Sequence, residues 1–151
     1  MIDEPDDFDV PYMFLADSAE ALGGKLYVLG GGWDHLLIPT LPGPSIKPFA
    51  LALGVMVPYS HTNRKFVLSI ELVDADGNQL GEALQLGLDS GRPPGLTPGT
   101  PQNMPVAIAM NPSFPAPARY SIAARIDGAI KKSVSFAVMP IQTPFVPPAP
   151  H

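Results

Sequence analysis

Nowhere in this chain do apolar residues recur at i, i+3, i+4 and i+7 for three turns, yet they alternate with period two in five separate stretches. Leu51, Leu53, Val55 and Val57 share one side of such a stretch, opposite Ala50, Ala52, Gly54 and Met56. Phe66, Leu68, Ile70 and Leu72 stand opposite Val67, Ser69, Glu71 and Val73. Val106, Ile108 and Met110 form a third set; Tyr120, Ile122, Ala124 and Ile126 a fourth; Val134, Phe136 and Val138 a fifth. A period of two is the signature of strands with one face buried. The single helix-like fragment, Ser18 to Leu22, lasts one turn and stops at two glycines. With 20 prolines and 14 glycines in 151 residues, about twice ordinary usage, helices are broken wherever they would start.

Turn chemistry joins these stretches. Asp127-Gly128, between two alternating runs, is a strong hairpin signal. Residues 74–78, DADGN, make a slightly longer turn into a weaker strand from Gln79 to Leu88. Gly23-Gly24 reads as a two-residue turn joining strands Tyr12–Ala21 and Leu26–Trp33. In that register residue numbers facing each other sum to 47, so Asp17 faces Gly30 and Phe14 faces Trp33. The spacing predicts an all-β fold, an antiparallel Ig-like β-sandwich of seven or eight strands. Without crossover helices a parallel sheet is not expected.

Three segments stand apart from the alternation. Residues 1–11 read as an acidic flexible leader, 12–139 as one sandwich domain and 140–151 as a Pro-rich C-terminal tail. Within the domain, residues 89–105 carry five prolines and no periodicity, which predicts a long loop. Asp3, Glu4, Asp6, Asp7 and Asp9 supply the whole excess of the net charge of −5, since the remainder carries nine acids against nine bases. The body therefore has no basic stripe, and no nucleic-acid partner is expected. The acidic N-terminus is unlike a signal peptide, and no apolar run approaches the ~20 residues of a membrane span, so the expected location is cytoplasmic.

The motifs narrow the chemistry open to the chain. The chain has no cysteine, which removes thiolate metal sites and a Cys nucleophile. Gly30-Gly31-Gly32-Trp33-Asp34-His35 combines glycines with the one tryptophan. A strand, not a helix, surrounds it, so it does not read as a phosphate loop. Asp34 and His35 are adjacent, and in a strand their side chains point to opposite faces and cannot share an ion. DADGN lacks the spaced glutamate of a calcium loop, and no G-x-S-x-G elbow is present. No catalytic residue, metal or cofactor is assigned. Asp17, opposite a glycine, has room to accept backbone N–H groups or to stand exposed near a sheet edge. The glycines mark a bulge or close approach of the backbone, and Trp33 is read as facing the core.

The run YMFLADSAEALGGKLYVLGGGWDHL resembles the N-terminal signature of an uncharacterised, actinobacterial-type family of small bacterial β-sandwich proteins, a domain of unknown function. The residues that carry it are Ala16-Asp17, Gly24-Lys25-Leu26, and Gly30 to Trp33 followed by Pro39. FVLSIELVDADGNQL and ARYSIAARIDGAIKKSVSFAV are similar to the family as well. The resemblance implies a β-sandwich and brings no catalytic residue with it.

Charged residues make only 15% of the chain and mean hydropathy is +0.16. Typical charged content is about 25%, so a domain this poor in charge exposes apolar area, and such area marks interfaces. The reading is a non-enzymatic protein-binding or assembly module in a homo-oligomer or larger complex. The alternative is a small-molecule or carbohydrate binder, or a hydrolase, at the loop end near Trp33 and His35. Candidate ligand or interface residues are Asp17, Trp33, Asp34, His35, Arg92 in the long loop and Phe145 in the tail.

Overall fold

The structure, a computed structural model, describes residues 7–141. Nine strands follow in order: β1 (Asp9–Leu22), β2 (Lys25–Gly31), β3 (His35–Ile38), β4 (Phe49–Val57), β5 (Phe66–Val73), β6 (Leu84–Leu88), β7 (Gln102–Met110), β8 (Ala118–Ile126) and β9 (Ala129–Pro140). The one helical piece among the described residues is a 3₁₀ turn at Tyr59–His61. The strands form two packed sheets. Sheet A has the order β2-β1-β4-β7 and sheet B the order β3-β9-β8-β5-β6.

Two expectations are corrected. The described residues form nine strands, not seven or eight, and sheet B is mixed, because β3 runs parallel to β9 from His35↔Ala137 to Ile38↔Pro140. The extra strand, His-Leu-Leu-Ile, is four residues long and ends before Pro39, too short for alternation to declare it. Its parallel pairing needs no crossover helix of its own, since most of the chain lies between β3 and β9.

The core is built from the alternating sets. Leu51, Leu53, Val55 and Val57 are fully buried on β4, the strand that sheet A flanks on both sides. They meet Leu68, Ile122, Phe136 and their neighbours from sheet B. Tyr120, near the start of β8, buries its ring and donates its hydroxyl to Ala116 O at 2.6 Å, so the polar tip is satisfied.

The strand system starts earlier than the acid run suggests. β1 opens at Asp9, and Phe8 and Val10, assigned from sequence to the leader, are buried. Phe8 packs on Phe66 at 4.7 Å and on His61 at 4.9 Å between ring centroids. Asp7 accepts a hydrogen bond from Lys131 Nζ at 2.8 Å. Its carboxyl is held below the usual aspartate value chiefly by that bond. At the other end β9 runs through Pro140, and Ile141 N–H donates to Ile38 O at 2.9 Å. Phe145 lies outside the described residues.

Candidate functional site

The β1–β2 hairpin turns at Gly23-Gly24, whose φ values of +61° and +75° are both positive, as a two-residue hairpin turn of this hand requires. From Leu22↔Lys25 to Ala16↔Gly31 the register keeps the sum of 47. At Gly30 (φ +63°) the side chain of Asp17 fills the space a Cβ would need, with Cγ 2.8 Å from that position. Only glycine fits there. Asp17 thus lies over Gly30 as the hairpin register predicts, and is itself exposed.

Trp33 does not face Phe14. Gly32 N–H still bonds to Leu15 O, but φ of +91° at Gly32 then takes the chain out of the ladder. Trp33 turns inward, half-buried against the core, with its ring edge-on to Phe49 at 5.6 Å and 72°. Its indole N–H is buried without a hydrogen-bond partner among the described residues. Phe14 lies on the other side of sheet A beside Gly31 and Tyr12.

Asp34 and His35 do not point apart. β3 begins only at His35, so Asp34 escapes strand alternation, and His35 Nδ1 donates to Asp34 Oδ1 at 2.5 Å with both side chains exposed. The carboxylate can only accept, so it fixes the proton on Nδ1 and leaves Nε2 as an acceptor in the neutral ring. Asp17, Trp33 and His35 share a groove of about 620 Å³ with Leu29, Leu37 and Ile46. Leu29 is 73% and Ile46 69% exposed, so among the described residues the groove is rimmed by uncovered apolar side chains.

Arg92 stands elsewhere. It pins the long loop to the 3₁₀ turn, donating from Nε to Thr62 Oγ1 (2.7 Å) and from Nη2 to Tyr59 O (3.0 Å), with its guanidinium 4.0 Å from the Tyr59 ring centroid. The expected loop 89–105 ends sooner than predicted, because β7 begins at Gln102.

Sequence reasoning did not single out the outward face of sheet A. With the odd-numbered residues of β4 in the core, Ala50, Ala52, Gly54 and Met56 point outward. Their register neighbours are Ala16, Phe14 and Tyr12 on β1 and Ala109, Ala107, Pro105 and Asn103 on β7. Ser18, Leu29 and Gly31 extend the face towards β2. Tyr12 crowds Gly54, whose Cβ position is 2.5 Å from the ring, and Ala50 and Ala52 are buried. No charge interrupts the rows from Tyr12 to Ser18. The outward face of sheet B is mixed: Ser69, Glu71, Arg119, Ser121, Arg125, Ser133 and Ser135 stand beside the exposed Leu37, Val67, Ile130 and Met139. There Arg125 bonds Glu71 at 3.1 Å, and Ser121 bonds Ser135 at 3.0 Å. The signal was in the sequence, as Ala50-Ala52-Gly54 and Ala107-Ala109 at the positions opposite the core residues.

Among the described residues no three His, Asp or Glu side chains form a metal-ligating group, and no helix is long and apolar enough to cross a membrane. Residues 11–139 match a family described as "Family of unknown function (DUF6941)". No curated protein matches the chain. Among solved structures, the Pseudomonas fluorescens alkylpurine DNA glycosylase AlkC bound to DNA containing an abasic site analog is similar with a TM-score of 0.43 and 12% identity. The match covers 87% of this chain and 30% of that one, and a likeness this slight carries no argument.

Proposed function

This chain belongs to the family of unknown function DUF6941, and from its surface we propose that it is a non-enzymatic protein-binding or assembly module. One observation carries the reading: the outward rows of sheet A from Tyr12 to Ser18 hold no charged side chain, whereas the outward rows of sheet B hold Arg119 and the Arg125–Glu71 pair. On sheet A the alanines Ala16, Ala50 and Ala52 are already buried, so the apolar area open to a partner lies on the half-buried Tyr12, Phe14 and Met56 and the exposed Leu29. Burying such area is favourable by about 25 cal/mol per Å², and contiguous patches of this kind mark contact surfaces. Small side chains on a flat sheet also let another backbone come close. The Ig-like architecture belongs to the same proposal, and the Tyr120 corner at Ala116 supports it.

The test is site-specific photocrosslinking in the host, with the reactive residue placed at Ala109 or Leu29 on sheet A and at Ser133 on sheet B. Protein adducts from Ala109 and Leu29 and none from Ser133 are expected. Adducts equal from both faces, or from neither, contradict the reading.

The groove favours a second reading, since its volume of about 620 Å³ lies within the roughly 300–1,000 Å³ of small-molecule sites. Trp33 packs against Phe49 on the core side and lines this groove with Asp17 and His35. A groove ligand would change the fluorescence of Trp33, the only tryptophan in the chain; a screen of aromatic and carbohydrate compounds that leaves the emission unchanged removes this reading.

A further inference from the structure

We infer that the β1–β2 hairpin is a hinged strap, folded back from Asp17 and Gly30 towards the edge strand β7, which it guards, and able to swing open while both sheets stay intact. The inference concerns a motion within one chain and does not depend on the partner reading above.

The pairing registers show the fold-back. β1 lies beside β4 only from Asp9 to Ala16; beyond that point its one ladder is with β2, so residues 17–30 form an arm. Ala16 stands beside Ala50, and Ala50 beside Ala109 near the end of β7. β1 and β7 are both antiparallel to β4 and therefore run the same way. A straight course over residues 17–22, at about 3.4 Å per residue, would carry the tip roughly 20 Å away from the start of β7. Instead residues 21–24 line a recess of about 310 Å³ with Ser90 and residues 102–105, where β7 begins. β1 and β2 both contact β7, although β4 separates β1 from β7 in the sheet. The arm has turned back along β7.

The bend has the makings of a hinge. Gly30 (φ +63°) and Gly32 (φ +91°) leave the strand conformation at its base, and Asp17 leans over Gly30. Glycines absorb the backbone change of a swinging segment at small cost. The hold on β7 is slight. Among the described residues no ladder, hydrogen bond or ion pair joins residues 18–29 to β7. Within residues 17–30 only Ala19 and Leu26 are half-buried, and the rest are exposed. Segments with so few buried contacts open at lower free energy than the core.

The place of the strap gives its role. β7 is the last strand of sheet A and carries no charged side chain from Gln102 to Met110. An uncharged edge strand is a template for pairing with another chain unless something covers it. The closed strap stands over the first residues of that strand.

Pulsed electron resonance between spin labels on Leu22→Cys and Asn103→Cys provides the test, since the chain has no cysteine of its own. Both positions are exposed, and Lys25→Cys with Asn103→Cys serves where the first pair does not fold. A short distance together with a longer one is expected, in a distribution at least about twice as wide as that of a Ser69→Cys, Ser133→Cys pair on sheet B. Joining the strap pair with a short bismaleimide is expected to slow aggregation of the shaken protein about threefold or more. A single narrow distance, a distribution without the short distance, or aggregation indifferent to the crosslink would each overturn the inference.

Discussion

At the scale of single residues, the chain uses glycine where a side chain reaches across a ladder, and Gly30 is the clearest case. Asp17 occupies the Cβ position of Gly30, and φ is +63° there, so Gly30→Ala meets both a clash and left-handed strain. The expected loss is about 1–3 kcal/mol of unfolding free energy by urea denaturation. Asp17→Ala in the same chain should return the steric part and leave the backbone part, a coupling that a double-mutant cycle reads directly. Equal losses with and without Asp17 would show that the contact is unimportant. Arg92 is the second case, because one guanidinium satisfies Thr62, Tyr59 O and the Tyr59 ring together. Lysine lacks the planar fork needed for that set. Arg92→Ala and Arg92→Lys should both speed proteolytic cleavage within residues 89–101, and a lysine variant as resistant as wild type would refute the pinning role.

Elements were legible wherever alternation was long and unlegible where it was short or interrupted. β4, β5, β8 and β9 follow from their apolar sets, and the β1–β2 register follows from Gly23-Gly24 because a two-residue turn leaves one register only. β3 was not legible: four residues carry no periodicity, and its parallel pairing with β9 is set by distant packing. Asp34 and His35 were misjudged for the same reason, since the strand begins between them. The start of β1 was hidden by Asp7 and Asp9, whose charges flank the buried Phe8 and Val10. Lys131 on β9 ties down this entry through Asp7, with its own side chain largely buried and Asp7 largely exposed. The Asp7 carboxyl is lowered in the folded protein, so its contribution is present above the ordinary aspartate pKa and fades as pH falls through the lowered value. Asp7→Asn should therefore lower the urea midpoint slightly near neutral pH and leave it unchanged in strong acid. A difference that grows towards acid pH would have the wrong sign for this account.

The whole molecule is a sandwich with two unlike outer surfaces, and that asymmetry organises its proposed function. A chain with 15% charged residues places a large part of them on sheet B and at the ends of the strands. Sheet A is left with buried alanines, Tyr12, Phe14 and Met56 facing outward. The groove at Trp33 opens at the margin of that face, where Ser18 and Leu29 belong to both. On the proposed reading the contact surface lies on this side, with the recess beside it. Methionine reactivity tests this most directly, because Met56 lies outward on sheet A and Met139 is an exposed reference on sheet B. Fast oxidative labelling of the chain in host cells and of the purified, dilute chain compares the two sulfurs within each sample. The account predicts that Met56 is protected relative to Met139 in the cell and loses that protection in the purified chain. A ratio of the two rates that is the same in both, with the fold intact, would contradict a contact surface on sheet A.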